Sequence, residues 1–574
     1  MSEAVEQVSA VLDRMGAPPS LAPRLVAALG PGAAAELDAD PWLLLRLPRV
    51  SVEQADFCAR RHLGPGARPD DPRRLGALTA HVLRQAAARG HTALEERRLA
   101  TIVGKTGAPD PAAALEAAEA SGSTVVFEST DEGDEDFDFE DGVPEVPEAE
   151  RFHALPDLGH AEQRLGAQVA RLVDTGEPVM DALTAEETAR AEAERHGFAL
   201  GGELGTAVVT AALRPVTVLL HGPGDAAEVA RALLCLHGIG EHSEVGCAVA
   251  APTAQGASAV AADLGRLTDS APPVVPLARL LAAPVTAGLV VVCEAMALDT
   301  VRMAELVSAC PDGTQLVLAA DPRQAPSAGP GRVVADLVAS RTAHTAVLEV
   351  NGPVTGPLTE LAWEVAGGSW TDVEAPEREV VRVPAASPEE TVHRVLQLLT
   401  DSIPRALDIG SEHVQVVAVR EDGPAGTAAV NAACKERLNP GPGEHGGLDV
   451  GDRVLLAAGG PGYTRGDVGY LRAVDGGVAA VELADGSRVD ADPGALRPGW
   501  AVTVAAAHGS RWPSVVLALT PDAPLSRPLV YTALTRAVRH VSVVDASGGG
   551  LEAGVRDNPG TERTTRLVGV LREA

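Results

Sequence analysis

From about residue 183 to the C-terminus, short, predominantly apolar runs alternate with helical stretches, and this alternation narrows the fold more than any other feature. The runs lie at 216–220, 246–250, 289–293, 315–319 and 346–350, then at 414–419, 514–519 and 540–544. A strand with one wet face alternates apolar and polar residues. A run that is apolar throughout is buried on both faces, and the helices between such runs cover it. The pattern predicts an α/β protein with two parallel sheets, one before and one after a Pro/Gly-rich stretch at 351–388. Residues 441–499 change character, with GDRVLLAAGG, GDVGYLRAVDGG and VAAVELADGSRV reading as short strands with Gly turns. They predict a small antiparallel barrel inserted into the second α/β domain. Residues 1–120 read as helices, because Leu21, Leu25 and Val26, then Leu75, Leu78, Val82 and Leu83, recur at three- and four-residue spacing.

Charge and composition exclude several classes. The 574 residues include 47 basic and 79 acidic side chains, a net charge of −32, with Lys105 and Lys435 the only lysines. Such a field repels polyanions at long range and argues against a surface that coats DNA or an anionic membrane, while leaving room for a local basic groove. Aromatic residues make up 2%, so platforms for stacking bases are few. Cys58, Cys235, Cys247, Cys293, Cys310 and Cys434 are scattered, with no CxxC pair or His–Cys cluster. They read as small core hydrophobes, predict no metal site or disulfide framework, and fit a reducing cytoplasm. The opening MSEAVEQVSAVLDRMG has acids where a signal peptide has positive charge, and no apolar run reaches the roughly 18 to 20 residues of a bilayer span. A cytoplasmic protein is expected. Residues 121–182 read as a connector with a strand at 125–127 and an acidic run at 128–150. Self-repulsion predicts disorder in that run, and a solvated tether, an acidic decoy for nucleic acid or a docking strip for a basic partner all fit it.

The strand at 217–220 runs into His221-Gly222-Pro223-Gly224-Asp225-Ala226-Ala227-Glu228, and a helix follows. Strand, Gly-rich turn and helix make the shape of a phosphate cradle, with backbone N–H groups facing an anion. Later segments make this weak signal specific. The strand at 289–293 ends on Glu294, residues 316–331 read LVLAADPRQAPSAGPG, and residues 529–537 read LVYTALTRA. In this order the segments resemble the RecD-like branch of the superfamily 1 DNA helicases, along nearly the whole chain. The resemblance implies RecA-like motor domains at 183–350 and at 389–440 with 500–574, joined by a linker at 351–388. It also implies a helix-hairpin-helix region within 1–120 and an SH3-like β-barrel at 441–499.

The departures from the family bear directly on function. The family's phosphate loop reads G-x-x-x-x-G-K-[ST], with Lys on the β/γ phosphates and the hydroxyl on Mg²⁺. His221, Ala226, Ala227 and Glu228 stand at those fixed positions. Glu228 adds negative charge near the phosphates, at a cost on the order of 4 kcal/mol for each like-charge contact at about 4 Å and an effective dielectric near 20. Cys293 replaces the Asp that holds Mg²⁺ in the family, leaving Glu294, a lone acid of the kind that more often caps or is solvated than acts as a base. The adenine-reading L-T-x-x-Q is Leu183-Thr184-Ala185-Glu186-Glu187, and T-V-H-K-S-Q-G-S-E is Thr503 to Arg511, TVAAAHGSR. Arg536 is kept. On the DNA side, Pro252 and Thr253 are kept and Gln255 stands where Arg is usual. Arg49 and Ser51 replace two hairpin glycines that present N–H groups to phosphate. Ser51 retains an N–H and Arg49 adds a charge, so a hairpin that packs and one that binds DNA both fit.

By this resemblance Glu294 and Arg536 are a vestigial catalytic pair. Gly222, Pro223, Gly224, Asp321 and Gln324 form a degenerate nucleotide site, and Pro252, Thr253, Gly509, Ser510 and Arg49 are nucleic-acid contacts. The expected function is a pseudo-helicase without a cofactor, binding DNA (single-stranded DNA included) or a basic protein. The alternative is an active ATP- and Mg²⁺-dependent DNA helicase of repair or recombination with an unconventional site. No membrane partner is expected, and the oligomeric state is open.

Overall fold

The computed structural model describes residues 2–129, 150–348 and 356–574. Nearly all of the acidic run read at 128–150, and the start of the stretch read as a linker, lie outside the described residues. The chain divides into two compact units, one formed by 1–164, 329–331 and 563–573, the other by 165–328 and 332–562.

The first unit is helical at its start, with Ser2–Met15, Ala22–Leu29, Ala33–Ala39, Val52–Leu63, Pro72–Ala88, Glu96–Lys105 and Pro111–Ala120. Their apolar faces meet on Leu12, Leu37, Trp42 and Leu78, all buried. Helix starts follow local chemistry. Asp110 accepts hydrogen bonds from the N–H groups of Ala112 and Ala113 ahead of Pro111, a residue that has no N–H to lose. Asp56 ties the core together, accepting from Trp42 Nε1 at 2.8 Å and pairing with Arg74 at 2.8 Å. A short strand, β1 (Ala93–Glu95), falls inside the region read as helical. With β2 (Val125–Ser129) and β3 (Glu150–Ala154) it forms an antiparallel sheet of order β1-β3-β2.

The second unit holds two parallel sheets. The first consists of β4 (Val216–Leu220), β5 (Cys247–Ala251), β6 (Val274–Pro276), β7 (Leu289–Val292), β8 (Gln315–Ala320) and β9 (His344–Val347), in the order β6-β5-β7-β8-β4-β9. Every residue of β7 and β8 is buried, which is why both read as apolar runs, broken only by Gln315 at the start of β8. Because β7, β8 and β4 are neighbours, the loops leaving their carboxyl ends converge, the usual place for a ligand in an open α/β sheet. The second sheet contains β10 (Val380–Pro384) and β11 (Val414–Ala418). Between β11 and its return lie β12 (Arg453–Leu456), β13 (Val468–Asp475), β14 (Val478–Leu483), β15 (Arg488–Ala491) and β16 (Leu496–Pro498). The chain then completes the second sheet with β17 (Ala501–Thr503), β18 (Trp512–Leu519) and β19 (Ala537–Asp545), in the order β10-β19-β18-β11-β17. The inserted strands pair antiparallel in the order β15-β14-β13-β12-β16, with no pairing of β15 to β16 among the described residues. An inserted antiparallel sheet is therefore present, and its closure into an SH3-like barrel stays an expectation. Within the stretch read as a linker, Pro357–Ala366 is a helix and β10 is an edge strand of the second sheet. Among the described residues no helix is long and apolar enough to cross a membrane.

Candidate nucleotide cleft and nucleic-acid contacts

The loops from β4, β7 and β8 face the amino ends of β18 and β19 across a cavity of about 330 Å³. Gly222, Pro223, Gly224, Glu294, Asp321, Gln324 and Arg536 all line it, so the structure brings together the residues of both predicted groups. It also puts protein groups where a ligand's phosphates are expected. The carboxylate of Asp225 accepts the Gly222 N–H at 2.7 Å in a buried contact, so a cradle donor already has its anion. Glu228 is ion-paired to Arg231 one turn along the helix Ala226–His242. The helix Pro357–Ala366 covers the loop. A Cβ on Gly222 would lie 3.0 Å from Trp363, and Gly224, at φ +91°, would bring one to 2.6 Å from Thr359. Close approach of this helix therefore accounts for both glycines without a phosphate. Arg323 stacks on the same Trp363, 4.3 Å from the ring centroid.

The acid after β7 behaves unlike the capping or solvated residue expected of it. Glu294, in the left-handed region at φ +53°, turns into the cleft and meets Arg536 Nη1 at 3.1 Å and Arg511 Nε at 3.5 Å. Arg511 also binds Asp263 at 2.6 Å, giving a four-residue ion network across the two sheets. Burial alone would push Glu294 up, but Arg536 and then Arg511 outweigh it and hold the carboxyl down at about 2. Arg536 is fully buried, and it further donates to the carbonyls of Ser510 and Thr532 at 3.0 Å each. Cys293 is buried and desolvation pushes its thiol up to about 12, so it adds no negative charge beside Glu294. Among the described residues no cluster of His, Cys, Asp or Glu could hold a metal. Further hydrogen bonds complete the seam. Tyr531 donates its hydroxyl to Asp321, the Ala325 N–H donates to Thr532 Oγ1 at 2.7 Å, and His508 bonds Gln324 Oε1 at 2.8 Å.

The predicted nucleic-acid residues divide between the two units. Pro252, Thr253, Gly509 and Ser510 are buried against one another. Thr253 Oγ1 lies 2.7 Å from Ser510 Oγ, caps the helix Ala254–Gly265 through the Gly256 N–H, and reaches the Gly509 carbonyl at 3.3 Å. Gln255 donates to the Arg511 carbonyl at 2.7 Å. In the first unit, Arg49 is exposed and takes φ +70°, a conformation that favours glycine. The N–H of Ser51 is not available to a phosphate, because it donates to Gln54 Oε1 at 2.9 Å in a capping box that starts Val52–Leu63. Residues 183–187 form the first turns of Ala182–Arg195 and line no part of the cleft cavity. Sequence reasoning missed Asp225, Asp263 and the covering helix. Asp225 had a signal, an acid immediately before a helix start, whereas Asp263 had none.

Comparisons with known proteins agree with the order of these parts. Residues 1–93 match the ATP-dependent RecD2 DNA helicase HHH domain, 229–351 an AAA domain, and 498–544 the UvrD-like helicase C-terminal domain. The AAA match begins directly after Glu228. Among solved structures, Bacteroides Pif1 bound to ssDNA is 17% identical, covering 60% of this chain and 92% of that one, with a TM-score of 0.35. Pif1 helicase from Candida albicans is 14% identical, covering 65% and 97%, with a TM-score of 0.34. Two helicase domain models and an AAA domain model match in chain order, on the motifs already described, and together support a RecD-like superfamily 1 helicase.

Proposed function

We propose that this protein is a helicase-fold scaffold that binds DNA and does not hydrolyse ATP. The observation that carries the reading is the Asp225 carboxylate on the Gly222 N–H, in a loop whose Lys and hydroxyl positions are Ala227 and Glu228. Mg-ATP does not fit these residues. The loop has no cation for the β/γ phosphates, its metal position carries an acid paired to Arg231, and one of its donors is occupied. The ion network of Glu294, Arg536, Arg511 and Asp263 supports a motor held closed by protein charge, where a working helicase closes on nucleotide. DNA is favoured as partner by the helix-hairpin-helix match over residues 1–93. Burial of Thr253 and Ser510 moves the expected contact away from the motor seam and toward that helical region.

One observation favours a second reading, an ATPase with an unconventional site: Glu294 and Arg536 still line one cavity of about 330 Å³. Steady-state ATP hydrolysis with and without single-stranded DNA separates the two. The scaffold reading expects no turnover above background in either condition and DNA binding that is the same with and without Mg-ATP. DNA-stimulated turnover that disappears in Glu294→Gln supports the ATPase.

A further inference from the structure

On the other side of the helix Ala254–Gly265 lies a larger groove of about 690 Å³, within the size range of small-molecule sites. Its floor is one face of that helix, with Ser258, Ala259 and Ala262. One wall is a row of the inserted sheet, where Arg453 of β12 pairs with Tyr470 of β13, which pairs with Glu482 of β14. Arg539, at the start of β19, also lines the groove.

The charges of this groove do not close on themselves. Its three carboxylates already have partners. Asp263 binds Arg511 and Arg266, Glu482 binds Arg472 and Arg488, and Glu412 lies 3.8 Å from His413. Arg453 and Arg539 have no carboxylate within 4 Å among the described residues. Arg453 is 3% exposed. Its Nη1 donates to the Val414 carbonyl at 2.8 Å and its guanidinium lies 5.8 Å from the Trp500 ring centroid. Those contacts fix its orientation and soften its desolvation, and Glu412 attracts it from beyond ion-pair distance, so no carboxylate closes directly on this buried cation. A buried guanidinium with no carboxylate in ion-pair contact, lining an open groove, is a local exception to the repulsive field of a chain of net charge −32 and can be completed by an external anion.

We propose that this groove binds a phosphate-bearing anion through Arg453 and Arg539. A guanidinium presents forked N–H donors that match phosphate oxygens, which favours this class over a simple halide or a single carboxylate. The inference stands apart from the fate of the nucleotide cleft.

The test is calorimetric titration of the full chain with inorganic pyrophosphate at low salt. Saturable binding at roughly millimolar affinity or better is expected. Arg453→Met and Arg539→Ala are each expected to weaken it by about tenfold or more. Arg539 is exposed, so its variant keeps the fold even if removal of Arg453 disturbs the inserted sheet. Displacement of pyrophosphate by a single-stranded oligonucleotide identifies backbone phosphate as the ligand, and displacement by AMP alone identifies a free phosphate ester. No saturable heat at roughly 10 mM pyrophosphate, or binding unchanged in both variants, overturns the proposal.

Discussion

The cleft and the groove share the helix Ala254–Gly265, and Asp263, Arg266, Arg511 and Val538 line both. They differ in how charge is closed. In the cleft Glu294 is bound by Arg536 and Arg511, Glu228 by Arg231, and the cradle N–H of Gly222 by Asp225. In the groove the acids are paired with other residues, and Arg453 and Arg539 are left without a carboxylate. A cavity whose charges are satisfied internally gains little from an ionic ligand, since binding must first break good contacts. Descent from a nucleotide-binding family therefore points to one cavity, while electrostatic bookkeeping points to its neighbour.

The contrast predicts opposite responses to removing a buried charge. Glu294→Gln leaves the fully buried Arg536 without its ion partner, so a loss of about 3 to 5 kcal/mol is expected in urea denaturation. Arg453→Met removes a buried charge that has no internal ion partner, and a change within about 1 kcal/mol is expected in ligand-free buffer. Equal losses in the two variants break the comparison. A smaller, pH-dependent effect sharpens it. Glu294 ionises at about 2 in the folded chain against 4.5 for an ordinary glutamate, so between those values the folded state binds fewer protons than the unfolded. The stability it adds is complete above pH about 4.5 and is lost as the pH falls toward 2. Denaturation from pH 6 downward is therefore expected to show the wild type and Glu294→Gln converging over that window. A constant difference contradicts the assignment of the shift to this ion network.

The alternating apolar runs made both parallel sheets legible, because strands such as β7 and β8 are buried along their whole length and carry no competing signal. Short edge elements escaped. β6, β10 and β17 have three to five residues each, and half-buried β10 lies in a Pro/Gly-rich stretch that reads as loop. For the cleft, the motif positions named most of the lining residues. The lost Lys and hydroxyl, and Arg511 in place of a Glu, were visible in the letters alone. That Arg511 would pair with Glu294 and Asp263 was not visible, since 217 and 248 residues separate the partners and no periodicity joins them. The same limit hid Trp363 and Thr359 above the glycine loop. A glycine kept for a phosphate and one kept for a neighbouring helix read alike in sequence.

Calorimetric titration of the folded wild-type chain with Mg-ATP tests most directly whether the cleft has exchanged its nucleotide for internal charges. The account predicts no saturable heat up to roughly millimolar nucleotide. Binding at roughly micromolar affinity contradicts it, because the loop of Asp225, Ala227 and Glu228 would then admit the phosphates that the proposed reading keeps out.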